Sequence, residues 1–193
     1  MGDYMKHIGT VTLKTDRLIL RKFNMDDAEN MFENWASDEN VTRFLTWPTH
    51  RHKVMSQQYI SWLIKSYEKE DTYDWAIELK EIGQVIGSIG SVYIDEDVKK
   101  VQIGYCIGTK WWHKGITSEA LSEVIRFFIQ YVGVNRVEAR FDIRNRNSGK
   151  VMEKCGMKYE GTLRDSDKNN SGVCDISWYG ILKEEFFQFK VEN

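Results

Sequence analysis

The spacing of the apolar residues changes sharply in the middle of this chain, and that change limits the folds open to it. From residue 28 to 35 and from 60 to 67 apolar side chains recur at helical intervals. From residue 73 they alternate through three runs, 73–79, 84–94 and 100–107, separated only by short polar turns. Turns so short join antiparallel neighbours, because a parallel return needs a long crossover. The three runs are therefore expected to form a meander. Gly87 and Gly90 in the middle run predict a bulge or a close approach of another backbone.

The flanking segments complete an α+β pattern in one domain spanning residues 1–193, with residues 1–11 expected as a loose extension. Residues 17–23 alternate as a first strand. Asn24 then reads as a helix cap, with Ala28, Met31, Phe32 and Trp35 on one helical face. A loop at 46–52 holds the only proline, Pro48. A second helix carries Ile60, Leu63, Ile64 and Tyr67. After the meander comes a turn at 108–114 and a long helix from 115 to 131, with Gly133 as its stop. Residues 136–143 form a strand, and Asn145 to Ser148 open a short helix closed by Gly156. Residues 157–164 and 174–183 are two last strands joined by a polar loop at 165–172.

Composition removes several classes of function. A formal net charge of −2 gives no broad basic surface for nucleic acid. No apolar run reaches membrane-spanning length, and residues 1–10 lack the apolar core of a signal peptide. Cys106, Cys155 and Cys174 lack metal-ligand spacing and read as free thiols. These features together read as a reduced, cytoplasmic protein that needs no metal.

The segment from Ile107 to Ala120 carries the most chemistry. A strand ends, a basic turn with Gly115 follows, and a helix begins. The first amides of a helix have no partner within it and face the turn, where the helix dipole also favours negative charge. Such a place suits a pyrophosphate. Gly115 lets backbone approach closely, Lys114 adds charge, and Thr117 and Ser118 add hydroxyl donors.

Trp112-His113-Lys114-Gly115-Ile116-Thr117 resembles the acetyl-CoA pyrophosphate motif of the GNAT N-acetyltransferases, (Arg/Gln)-x-x-Gly-x-(Gly/Ala). The tryptophan, followed by Ser118-Glu119-Ala120-Leu121, resembles the RimJ/RimL branch, whose best-known members acetylate N-terminal residues of ribosomal proteins. Thr15-Asp16-Arg17-Leu18 resembles that branch's opening, and Gly87-Ser88-Ile89-Gly90 and Ile103-Gly104-Tyr105 its central strands. Asn145-Arg146-Asn147-Ser148 and Glu153-Lys154-Cys155-Gly156-Met157 are similar to its Asn-x-x-Ser…Glu-Lys-x-Gly-Phe segment. There are departures. His113 stands where many members have Gly, and Thr117 where they have a small apolar residue. Gln102 replaces a common Glu, and Met152 sits where several relatives place a tyrosine acid.

The resemblance implies a mixed, mostly antiparallel, twisted sheet of six or seven strands, flanked by helices and splayed at its centre. It implies acetyl-CoA as cosubstrate, held by Cys106, Ile107, Trp112, His113, Lys114, Gly115, Ile116, Thr117, Ser118, Asn145 and Ser148. A backbone amide near Ile107 would polarise the thioester carbonyl. Ser148 is the candidate beside the departing sulfur; it also reads as the N-cap of its short helix, and the two roles can coexist. Asn145 would bond the pantetheine arm, or else serves an ordinary turn. Asp167, in the last loop, is the candidate proton acceptor, or else a solvated carboxylate. Trp47 and Trp75 are candidate walls of an acceptor cleft.

The expected reaction is direct acetyl transfer to an amine, with the α-amine of a protein or peptide as first reading. A small-molecule amine is the second, and a non-catalytic CoA-binding module the third.

Overall fold

The computed structural model describes residues 4–192. Eight strands form one sheet in the order β1-β2-β3-β4-β5-β6-β8-β7. They are β1 (Leu13–Lys14), β2 (Leu18–Arg21), β3 (Asp74–Leu79), β4 (Gln84–Asp95), β5 (Lys100–Ile107), β6 (Arg136–Asp142), β7 (Lys158–Asn169) and β8 (Gly172–Leu182). All neighbours pair antiparallel except β5 and β6. The expected mixed α+β sheet is therefore present, with one strand more than the alternation indicated. The extra strand, β1, is two residues long, too short for a period of two to register.

Helices cover both faces. On one lie α1 (Asp27–Met31), α2 (Glu39–Thr42) and α3 (Lys53–Ser66). Phe23, Met31, Trp35, Ile60 and Leu63 pack there on Ala76 and Val85. On the other lies α4 (Ile116–Phe127), whose Ala120, Leu121, Val124 and Ile125 are fully buried. It runs on through a wider turn, residues 128–132, to Gly133, which holds φ of 84° and stops the helix as expected. Beside it sits α5 (Arg146–Lys154), and α6 (Lys183–Glu192) closes the chain.

Asn24 and Asp27 bind backbone amides in the turn just before α1, whose N-cap is Asp26 and not the expected Asn24. Asn24 Oδ1 accepts from the Asp26 amide at 2.9 Å, and Asp27 Oδ2 accepts from the Asn24 amide at 2.8 Å. Arg21 then grips Asp27 with two bonds of 2.8 Å. Gly87 and Gly90 prove to be close approaches: a Cβ there would lie 2.4 Å from the Cys106 carbonyl and 2.6 Å from the Tyr73 carbonyl.

Residues 4–11 are not a loose extension. Met5 is buried, the Lys6 amide donates to the Val132 carbonyl at 2.8 Å, and the Gly9 amide donates to the Glu70 carbonyl at 2.7 Å. Tyr73 Oη lies 3.0 Å from His7 Nδ1 and accepts from the Ile8 amide. The segment has too few apolar residues to show a period, so its docking left no pattern in the sequence.

Candidate active site

The sheet is split at its centre. β5 and β6 run parallel and pair only at Lys100–Arg136, Val101–Val137 and Gln102–Glu138. Beyond these three rungs the strands part, and β5 continues to Ile107 against β4 alone. The Gly108 amide donates to the Ile86 carbonyl of β4. Backbone groups alternate in direction along a strand, so the Tyr105 and Ile107 amides face the split instead. This is the expected central splay, and it leaves backbone donors without a strand partner.

A cleft of about 440 Å³ passes through the split. Its walls are the end of β5, the 112–118 turn, α5, Val41 of α2, and Phe44 and Leu45 after it. Tyr105 and Ile107 belong to the α4 face, whereas Cys106 packs with Leu45, Trp47 and Tyr59 on the α3 face. The cleft thus connects the two sides of the sheet.

At one end of the cleft Gly115 caps α4 with φ of 72°, and His113 also takes the left-handed conformation, φ of 60°. That left-handed position therefore carries a side chain in this chain. An anchor behind the turn was not foreseen. Arg17 donates from Nη1 to the Lys114 carbonyl at 2.9 Å and from Nε to Glu119 Oε2 at 2.6 Å. Thr15 Oγ1 and the Arg17 amide both donate to Glu119 Oε1. Burial pushes the Glu119 carboxyl up, but these bonds outweigh it and hold it below its usual range. The Trp112 indole closes the other edge, donating to the Ile107 carbonyl at 2.9 Å.

Opposite the start of α4, Arg146, Lys150 and Lys154 line the cleft from α5. They recur every four residues, so they form one basic stripe on the helix. Gly149 lets α5 lie close to β6, for a Cβ there would meet Phe141 Cζ at 2.7 Å. Helix-terminal amides on one wall and cations on the other make a place for a polyanion, and the donors along the split suit an extended amide-bearing arm.

Ser148 and Tyr105 face each other farther in. Tyr105 Oη lies 3.0 Å from Ser148 Oγ and 3.0 Å from the Ser148 carbonyl. Burial raises the Tyr105 hydroxyl, so it remains protonated. Ser148 is not the cap of α5: that place belongs to Asn145, whose carbonyl accepts from the Ser148 amide at 3.0 Å. Cys106 Sγ lies 3.3 Å from Ser88 Oγ, and burial pushes the thiol up to about 11, which keeps it from being a thiolate.

Cys106, Ile107, Trp112, His113, Gly115, Ile116, Thr117, Ser118, Asn145 and Ser148 all line this one cleft. Lys114 does not; its carbonyl is held from behind by Arg17. Three other expectations need correction. Asp167 is in β7, ion-paired to Arg140 at 2.9 Å, and is not on the cleft wall. The stretch read as a loop pairs with β8 up to Asn169–Gly172; it shows little alternation because much of β7 is exposed on both faces. Trp75 is fully buried in an aromatic cluster with Tyr73, Phe127 and Phe128, its indole donating to the Val11 carbonyl at 2.7 Å. Trp47 stands half-buried against His50, behind the lining residues Phe44 and Leu45. Its carbonyl accepts from Asn170 at 2.8 Å, which ties the β7–β8 tip to the loop after α2.

Among the described residues no group of His, Cys, Asp and Glu could hold a metal ion, and no helix is long and apolar enough to cross a membrane. Residues 17–158 match the acetyltransferase (GNAT) domain family. An N-acetyltransferase called p20 from Bacillus licheniformis, itself uncharacterised, is 30% identical over 91% of this chain and 98% of its own length. The [ribosomal protein uS5]-alanine N-acetyltransferase of Escherichia coli is 23% identical over 86% of this chain and 87% of its own. A GNAT-family acetyltransferase from Bacillus anthracis superposes with a TM-score of 0.78 at 22% identity, over 90% of this chain and 99% of that one. This chain belongs to the GNAT family and is an acetyl-CoA-dependent N-acetyltransferase.

Proposed function

We propose that this enzyme transfers acetyl directly from acetyl-CoA to the α-amine of a protein or peptide. The split between β5 and β6 carries the reading, because it brings anion donors, free backbone amides and a passage through the sheet into one cleft. In this reading the α4 amides, Thr117, Ser118 and the α5 cations hold the pyrophosphate. Asn145 bonds the pantetheine arm, and the Ile107 amide polarises the thioester carbonyl. Ser148, hydrogen-bonded to Tyr105, donates to the departing sulfur. Holding both reactants in one passage lowers the barrier further.

The likeness to a ribosomal-protein alanine acetyltransferase over most of both chains supports an α-amine acceptor. So does proton chemistry. An α-amine, with a pKa near ~8, is partly neutral at pH 7, whereas lysine near ~10.4 is almost wholly protonated. A cytoplasmic location, where acetyl-CoA and new protein N-termini meet, fits this reading. One observation favours a small-molecule amine instead: Asn170 and Ser171 at the β7–β8 tip bond Thr42, Arg43 and Trp47, narrowing the approach beside the cleft. Thiol release with three acceptors separates the two. They are a peptide with a free N-terminus, the same peptide N-blocked with its lysine retained, and a polyamine. The free peptide should be fastest in kcat/KM. A polyamine faster by orders of magnitude establishes the second reading.

A further inference from the structure

On the α3 face of the sheet, three residues form one row across three strands. Asp74 of β3 is opposite Gly90 of β4, and Gly90 is opposite Gly104 of β5. The next row is Ala76, Ser88 and Cys106, and Cys106 lines the cleft. Two glycines side by side leave a strip of backbone bare of side chains, with Asp74 at one end and the split edge of β5 at the other. Above Gly104 lies the exposed side chain of Val92, whose Cγ2 would stand 2.7 Å from a Cβ there. Ser88, Gly104 and Cys106 are half-buried and Gly90 is buried, so solvent reaches the strip at its β5 end.

Asp74 is an unusual group to find there. Its Oδ1 is buried without a hydrogen-bond partner, and its Oδ2 accepts from Tyr59 Oη at 3.2 Å. The groups that face it are hydroxyls and a thiol: Tyr59 and Tyr67 from α3 and its C-terminal cap, and Cys106 from β5. The Tyr67 hydroxyl is itself occupied with the Asp74 carbonyl. Burial pushes the carboxyl up to about 7, with the Tyr59 bond pulling the other way. Asp74 Oδ1 thus lacks a partner that a proton would supply.

We propose that Asp74 is the proton acceptor for the incoming amine, acting along the glycine strip. The inference rests on the acetyltransfer reading above and names the group that reading lacks, since Gln102 replaces the Glu of many relatives and Asp167 is ion-paired to Arg140. Two strand spacings, roughly 10 Å, separate β3 from β5, so in this proposal the proton crosses through bridging water between Asp74 and the cleft-lining Cys106. Asp74 takes one proton from the ammonium. The amine nitrogen forms its bond to the acetyl carbon as the carbon–sulfur bond breaks, and the second nitrogen proton passes to the thiolate. Asp74 acts through water and is a positioning residue in that sense.

The test uses the whole chain, acetyl-CoA and the free peptide, with Asp74→Asn and Asp74→Glu beside the wild type. Asn should lower kcat/KM by about 100-fold, within the range of general-base effects, while the acetyl-CoA Kd changes less than about two-fold. The wild-type rise of kcat/KM through pH 7 should vanish in Asn, leaving only the amine's own ionisation, and Glu should restore part of the rate with that rise displaced. An Asn variant that keeps more than half the rate and the same pH profile overturns the proposal. Should Asn not fold, an unshifted profile in Glu overturns it equally. A wild type that acetylates none of the three acceptors overturns the functional reading itself, and this inference with it.

Discussion

Arg17 and Glu119 meet at 2.6 Å between the start of β2 and the first turn of α4, and the same guanidinium holds the Lys114 carbonyl. The carboxylate that would repel a phosphate at this helix start is thereby neutralised, and the turn is fixed before any ligand arrives. Arg17→Ala should raise the acetyl-CoA Kd several-fold, to about ten-fold, with secondary structure unchanged by circular dichroism. Glu119→Gln should also lose stability at pH 7. The Glu119 carboxyl is held below its usual range, so its contribution is present above the unfolded value and fades as pH falls through the folded one. Urea melts of the two proteins should converge in acid.

Gly115 offers a sharper separation of binding from folding. Its φ of 72° is open to glycine and strained for a β-branched residue by roughly 1–3 kcal/mol. Gly115→Val should abolish acetyl-CoA binding by calorimetry while the protein remains folded with a lowered Tm. Tight binding by this variant would place the anion elsewhere.

The basic stripe of α5 should be felt through salt. Lys150→Ala and Lys154→Ala should each raise the acetyl-CoA Kd by about three- to ten-fold at low ionic strength, and by less at high salt. A Kd independent of both lysines would exclude α5 as the second wall of the polyanion site.

Ser148 and Tyr105 form a pair, so their losses should not add. Ser148→Ala and Tyr105→Phe should each lower kcat by about ten-fold with little change in cofactor affinity, and the double variant should fall little below either. An active Ser148→Ala protein with only a lower Tm would leave the hydroxyl a structural role.

Asp74 makes a prediction about stability with the opposite sign to its effect on rate. Its folded value, about 7, lies above that of an unfolded carboxyl, so the folded state prefers the protonated form. Stability from this group is full below about pH 4 and is lost as pH rises through about 7. Asp74→Asn should therefore melt higher than the wild type at pH 8, and the gap should close toward pH 4. A residue that served packing alone would lower the melting temperature at both.

Much of this was legible because period and turn chemistry act locally. The change of spacing at residue 73 places β3, β4 and β5, and Gly115 with Gly133 bounds the helix between them and β6. The stripe of Arg146, Lys150 and Lys154 was also written in the chain, at four-residue intervals, but a charge run on a short helix reads as a solvated face. Other features depend on partners far along the chain. Trp75 at the start of a strand looks the same whether it borders a cleft or is buried, and only Phe127 and Phe128 decide. Asp74 beside it reads as a surface acid until Gly90 and Gly104 are laid across from it. Asp167 was misplaced because the outer part of β7 has no buried face to impose alternation.

The three rungs between β5 and β6 also have a mechanical consequence. With the Lys99 carbonyl, which accepts from the Asn135 amide at 2.8 Å, they join a five-stranded half of the sheet to a three-stranded half, so this seam is the line along which the sheet yields most readily. A cosubstrate laid along the seam would splint it, adding hydrogen bonds where the sheet has none of its own. The amides of Tyr105 and Ile107 should then exchange quickly with deuterium in the free enzyme and slowly in the loaded one, while the paired amides of β4 hardly change. In that sense the enzyme would be completed as a sheet only while it is at work.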